Sequence, residues 1–320
     1  MRLSEHFGLS NLQQKDLDFV NVNLNKDNKL FIDPAQIEVR NGEWFKTSAH
    51  IVNDFFSTIL NLYKSGQENE AKLLFNHAHE PNETKLGLSR GKPNGKGSSP
   101  EKLIEIFDQV KEQKLIEDGL INNYEDFTIF VEDFAEDRMS DLVTNLLRQQ
   151  LAIYTVEQCE KLGLILTDVP VNIGVCWDPY EHKWVKVHTR ALVVDGKLVL
   201  LVPKSIIVKK YMYSVDKYLS NTIFKWRQDY HLKTDSRLVT KKFIKRHEKI
   251  VSYPPSMDTL RKKEIKEMDL KSKTYAIKMT KEKLDLIKRF KESVKNALLG
   301  TNNNSLTDDE INNLIDDDKK

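Results

Sequence analysis

"FVEDFAEDRMSDLVTNLL", Phe130 to Leu147, is the stretch on which the reading of the core turns. With the preceding "DFTIF" its first half is a short apolar run, which reads as a buried strand ending at Glu132-Asp133. The second half reads as a helix opening at Ser140-Asp141 and running on through "RQQLAIYTVEQCEK", with Val143, Leu147, Leu151 and Tyr154 on its apolar face. Gly163 closes it. A strand–turn–helix of this kind carries Glu132, Asp137 and Asp141 to one strand end beside Arg138.

Carboxylates gathered at such a point suit a hard cation, and the expected metal set is Glu132, Asp137 and Asp141 around Mg2+. A bound cation lowers the pKa of its water and neutralises charge on a scissile phosphate, while an arginine grips a neighbouring phosphate. Asp137, Asp141, Arg138 and Glu80 are therefore the candidate catalytic residues. The structural alternative is equally physical: Ser140 or Asp141 caps the helix, the acids favour its positive end, and Arg138 pairs with Asp137 or Glu136.

Upstream, "DFVNVNLNKDNKLFIDP" (Asp18 to Pro34) alternates apolar and polar residues around Lys26-Asp27-Asn28 and predicts a hairpin or two short strands, ended by Asp33-Pro34. Ile51, Phe55, Ile59 and Leu62 recur at helical spacing between Thr47 or Ser48 and Gly66. A second helix follows Ser99-Pro100, with Leu103, Ile106, Phe107 and Val110 on one face. Between the two, Asn76 to Pro100 carries four glycines and three prolines, a long irregular segment of the kind that usually has a function or is mobile. Its core, "KLGLSRGKPNGKG", has four basic side chains on a permissive backbone and could wrap phosphate, though it matches neither a Walker nor a Rossmann pattern. His77, His79, Glu80 and Glu83 stand beside it.

Downstream, "VPVNIGVCW", "KWVKVHTRALVV" and "KLVLLVP" predict strands joined by turns at Asp178 to Glu181 and at Asp195-Gly196. Asp168 with Glu181-His182-Lys183 matches the letter of a nuclease D…ExK pattern, but Glu181 falls in a turn, as does the similar Asp195-Gly196-Lys197. From Pro203 the chain reads as helical, with 24 Lys and Arg against 10 Asp and Glu up to Phe290, although the whole chain carries only +2. Interleaved with Tyr211, Tyr213, Tyr218, Trp226, Tyr230 and Phe243, these charges are the footprint of a nucleic-acid partner. The candidate phosphate contacts are Lys92, Lys96, Lys204, Lys209, Lys210, Lys225, Arg227, Lys241, Lys242, Lys245 and Arg246. The same spacing also fits amphipathic helices that bury Tyr211, Val215, Tyr218 and Leu219 and leave the lysines in water.

The expected architecture is an α+β (mixed α/β) core over residues 1–205, a basic helical region over 206–300 and a disordered acidic tail over 301–320, with six carboxylates from Asp308 to Asp318. No apolar run approaches the roughly 20 residues of a membrane-spanning helix. The N-terminus lacks a secretory pattern, so the expected compartment is the cytoplasm. Cys159 and Cys176, in apolar patterns without zinc spacing, read as buried thiols.

The strings "KLFIDP", "EPNETKLGLSRGKPNGKG", "FVEDFAEDRMSDLVTNLL" and "GKLVLLVPKSIIV" together resemble a group of uncharacterised bacterial proteins associated with mobile or defence loci, over roughly residues 18–210. In that group the stretch before the aspartate–arginine pair bears a glycine; here it is Asp133-Phe134-Ala135-Glu136. The resemblance implies a defence-type effector and assigns no activity. Residue chemistry then leaves three readings: a Mg2+-dependent nuclease or phosphodiesterase, a non-catalytic subunit binding nucleic acid or a partner protein, and an enzyme acting on a nucleotide through the glycine-rich flap. A homo-oligomer is compatible with each.

Overall fold

The computed structural model describes residues 1–77, 79, 81–87, 99–300 and 304–316, without the side chain of Arg246. Its helices are α1 (Pro34–Glu38), α2 (Glu43–Lys64), α3 (Pro100–Glu112), α4 (Tyr124–Phe130), α5 (Glu136–Leu146), α6 (Arg148–Leu162), α7 (Phe224–Lys233), α8 (Ser272–Glu282), α9 (Asp285–Leu299) and α10 (Asp308–Asp316), with shorter turns between them. Strands β1 (Phe31–Ile32), β2 (Val171–Asp178), β3 (Lys183–Thr189), β4 (Leu192–Val194), β5 (Lys197–Val199), β6 (Ile207–Val208), β7 (Thr240–Ile244) and β8 (Lys249–Tyr253) form antiparallel pairs: β1 with β6, and then β2–β3, β4–β5 and β7–β8 as hairpins. The class is mixed α+β, as the residue pattern predicts.

Local signals set many of these elements. Ser99 accepts from Lys102 N at 3.3 Å and opens α3 with Pro100 at its first position. Gly163, at φ 67°, ends α6. Asp195 and Gly196, both at positive φ, close the β4–β5 turn. Both cysteines are buried thiols, each pushed up to about 11 by burial.

The stretch Asp126 to Phe134 is a correction. Its apolar run is not a strand but α4, followed by a turn. Asp126 Oδ2 accepts from Asn122 N (2.9 Å) and Asn123 N (3.0 Å), which fixes the helix start. Tyr124, Phe127, Thr128, Ile129 and Phe130 are all buried, so no polar face interrupts the run, and a helix buried all round looks like a buried strand. The helix expected from Ser140 to Gly163 begins four residues earlier and breaks at Leu147 into α5 and α6. The alternating stretch before Pro34 pairs not with itself but with the later chain, Phe31 with Val208 and Ile32 with Ile207.

Aromatic side chains link the parts. Phe55 meets Trp177 of β2 at 5.0 Å, and Phe107 lies between Phe75 (4.6 Å) and Phe127 (4.9 Å). Phe130 reaches Tyr218 (6.0 Å), which packs on Phe290 of α9 at 5.0 Å, so the buried core crosses the boundary expected at residue 205. Beyond that boundary, where the sequence reading expects helix, the chain forms helices but also strand β6 and the β7–β8 hairpin. The acidic tail is also ordered in part: α10 buries Ile311 and Ile315 completely, and Asp308 pairs with Lys204 at 2.9 Å. The two buried isoleucines and the ion pairs of Asp308 with Lys204 and of Asp316 with Arg2 fasten this helix to the rest of the chain.

Candidate functional site

Helix α5 buries Met139, Leu142, Val143 and Leu146 against the core. The other face follows from the period of the helix: Asp137, Asp141 and Asn145 recur every four residues, and Arg148 follows at the start of α6. This polar row is largely out of water, with Asp141 and Arg148 each 6 % exposed and Asn145 2 %. Asn145 Nδ2 donates to the carbonyls of Asp141 (2.9 Å) and His79 (2.5 Å). The Arg148 guanidinium donates to Glu83 Oε1 (2.8 Å), Asn145 Oδ1 (2.8 Å) and Ile173 O (3.1 Å). A buried arginine needs that set of acceptors, because its charge cannot be discharged by losing a proton.

The segment laid over this row is the base of the glycine-rich stretch. Asn28, 1 % exposed, receives Gly87 N on its carbonyl (2.9 Å) and donates through its own N–H (2.8 Å) and Nδ2 (2.7 Å) to Lys85 O. Leu200 N donates to Glu83 O at 2.9 Å. Gly87 has φ 133° and passes close to the acidic end of α5: a Cβ there would stand 3.6 Å from Asp137 Oδ1. Glu80, Lys92 and Lys96, named from the sequence, lie outside the described residues, as does the side chain of Arg246.

Below Gly87 the sequence reading missed a residue. Asp33 caps α1, with Oδ1 accepting from Ala35 N at 2.9 Å, and it is 2 % exposed. Its Oδ2 is buried with no hydrogen-bond partner. Burial, with the charge of Glu136 added and the N–H groups of Ala35 and Gln36 opposing, pushes its carboxyl up to about 7. The neighbouring Tyr211 hydroxyl donates to Ile32 O at 2.5 Å and is held well above its ordinary range, first by burial and then by Asp33, Glu136, Asp141 and Asp137. Those four carboxylates are therefore all within electrostatic reach of the Tyr211 hydroxyl. Ser140 Oγ accepts from Ile32 N (2.9 Å) and so fastens α5 to the strand that delivers Asp33. In the sequence the Asp-Pro pair marks the end of a strand and carries no signal of a site.

Lys273 of α8 donates to Val131 O (2.6 Å) and Phe134 O (2.8 Å); burial pulls its ammonium down to about 8, against Glu132, Glu136 and Asp133, which hold it up. Glu132 is within electrostatic reach of Lys273, but its Oε1 is buried with no hydrogen-bond partner, whereas Asp137 and Asp141 act on Tyr211. Arg138 donates to the carbonyl of Asp133, closing the turn rather than pairing with Asp137 or Glu136. Among the described residues, no group of three or more His, Cys, Asp or Glu could hold a metal ion as it stands. Glu181 pairs with Lys183 in the β2–β3 turn.

Of the candidate phosphate contacts, three are engaged within the chain. Lys204 is held by Asp308, Lys241 by Asp235, and Arg227 donates through Nε and Nη2 to Glu264. Burial acts to raise Glu264, yet hydrogen bonds from Arg227, Tyr275 and His231 carry it below its usual range. Lys209, Lys210, Lys225, Lys242 and Lys245 are exposed.

Gly174 shows how tightly the row is closed. At φ 110° it lies against Arg148, and a Cβ would fall 3.0 Å from Nε and 3.2 Å from Cζ. Gly174→Ala is expected to cost about 2 kcal/mol, from the strained backbone and the displaced guanidinium together. Urea unfolding measures it; a change within experimental error would mean that Arg148 moves aside freely.

A protein-family model matches residues 8–214, and its description is Domain of unknown function (DUF8370). The matched segment contains Asp33, Glu83, the whole α5 row and Tyr211, and ends before β7. No curated protein and no solved structure matches the chain.

Proposed function

We propose, for a chain that belongs to that family of unknown function, a phosphodiesterase acting on nucleic acid beside Tyr211, with Asp33, Glu136, Asp137 and Asp141 as its carboxylates. One observation carries the reading: Asp33 is buried with an unpartnered oxygen and a carboxyl poised at about 7. A structural cap gains nothing from such an arrangement, which costs stability, whereas a proton-transfer group needs it. Mg2+ is the proposed cofactor, with Asp137 and Asp141 as its ligands from α5; bound there, it would supply charge neutralisation at the phosphate. Lys85 and the basic stretch after Gly87 are the proposed phosphate contacts. The resemblance to proteins of mobile and defence loci supports an effector role for that activity in the bacterial cytoplasm. No described helix is long and apolar enough to cross a membrane.

The test is cleavage of DNA and RNA by the intact chain with Mg2+ or Mn2+ supplied. Asp137→Ala and Asp141→Asn are each expected to lower the rate at least about a hundredfold. An intact parent protein that degrades neither polymer under those conditions ends the proposal. A second reading, binding without hydrolysis, is supported by Arg138 and Lys273, which are spent on the backbone carbonyls of the turn between α4 and α5. It expects binding that weakens steeply with salt and ignores EDTA.

A further inference from the structure

The β7–β8 hairpin stands apart from the rest of the fold. Of the ten strand residues, Ile244 and Val251 are half-buried and the others are exposed. Cross-strand pairing puts Phe243 opposite Ile250 on one face, where they are 61 % and 66 % exposed. Residues 240–253 hold five Lys and Arg against one Glu. Two strands alone are marginal in water, and exposed apolar residues directly opposite each other are a liability unless something covers them.

Its base is well anchored. Gln228 of α7 donates to Pro255 O (2.8 Å) just after β8, and His231 of α7 is 2.7 Å from Ser236 Oγ just before β7. Helix α7 is in turn tied to Glu264 through Arg227 and His231. A fixed base carrying a free ribbon is the geometry of a rigid probe, not of a frayed loop.

We propose that this ribbon is an arm that enters the major groove of double-stranded DNA. Five extended residues span roughly 17 Å, and the groove, about 12 Å wide, admits a two-stranded ribbon. Lys242, Lys245 and Lys249 meet the phosphates, while Phe243 and Ile250 face the base edges, where thymine methyl groups offer apolar contact. Charge complementarity selects this occupant: the ribbon is basic along its length, whereas self-pairing of two copies would bring like charges together. The inference goes beyond the hydrolytic reading and does not need it.

The experiment is fluorescence anisotropy of the full chain with a labelled DNA duplex across a salt series, with far-UV circular dichroism confirming that each variant is folded. Lys242→Glu combined with Lys245→Glu and Lys249→Glu is expected to weaken binding more than tenfold and to reduce the slope of log affinity against log salt by about three. Phe243→Ala with Ile250→Ala is expected to weaken binding severalfold with that slope unchanged. The parent is expected to bind with the same affinity in EDTA, which removes the proposed Mg2+, so a failure of the hydrolytic reading is distinguishable from a failure of this one. The proposal is overturned if the parent does not bind duplex DNA, or if the triple reversal leaves binding unchanged. It is equally overturned if the ribbon variants alter only binding to phosphatidylserine vesicles or only the oligomeric state.

Discussion

Asp33→Asn is expected to make the protein more stable above pH 7 while removing its proposed activity. In the fold Asp33 keeps its proton up to about 7, whereas the ordinary carboxyl value is 3.8. Between those values the folded chain binds a proton that the unfolded chain has released. Stability therefore falls as pH rises from about 4 through about 7, and this group adds no slope outside that window. The shift corresponds to a loss on the order of 4 kcal/mol by the time the carboxyl is ionised. Asparagine retains an oxygen for Ala35 N, so the α1 cap survives, but it cannot ionise. Its stability curve should lack the falling limb, so that it overtakes the parent above about pH 7. Urea unfolding near pH 5 and near pH 8 decides the matter, and equal pH dependence in the two proteins would remove Asp33 from any catalytic account. A residue whose replacement stabilises the fold and removes activity is one whose cost function maintains.

Arg148→Met should be the most damaging single change outside the apolar core. It keeps much of the side-chain volume and deletes the donors on which Glu83, Asn145 and Ile173 O depend. Removing one partner of a buried, hydrogen-bonded charge pair costs about 3 kcal/mol, the low end of the range because the Glu83 side chain is 24 % exposed and can partly rehydrate. For a chain of this size the midpoint should drop by roughly 4 °C. Combining it with Glu83→Gln should recover part of the loss, since the uncompensated carboxylate goes too, and the double-mutant cycle measures that coupling. An Arg148→Met protein as stable as the parent would show that the row beneath residues 81–87 is not held by this arginine. In the cavity lining beside Arg148 the other guanidinium, that of Arg190, is paired with Glu160.

The two predictions separate what residue patterns reveal from what they hide. Asp137 and Asp141 were visible because carboxylates four apart share a helix face, and that relation survives whether the preceding run is strand or helix. Asp33 was visible only as the end of a strand, since its chemistry comes from burial beneath α5 and from Glu136, about a hundred residues away. Arg138 stood beside Asp137 in the sequence as a candidate phosphate contact, yet the Asp133 carbonyl claims it. Glu83 was visible only as one of a set of acid and base groups beside the glycine-rich stretch, and Arg148 not at all, because their pairing spans 65 positions.

By itself the sequence determined the amphipathic helices α2 and α3, the Gly163 stop, the Asp195-Gly196 turn, the buried thiols and the uneven spread of charge. These depend on residues within one or two turns of each other, where propensity, capping and periodicity act without help from the rest of the chain. Tertiary structure alone decided that the run before Glu132 is helical, that part of the acidic tail folds back on Lys204, and that residues 240–253 form a ribbon. It also decided which carboxylates share a neighbourhood. Desolvation and long-range pairing set those outcomes, and both are properties of where distant segments meet rather than of any segment's own order of residues.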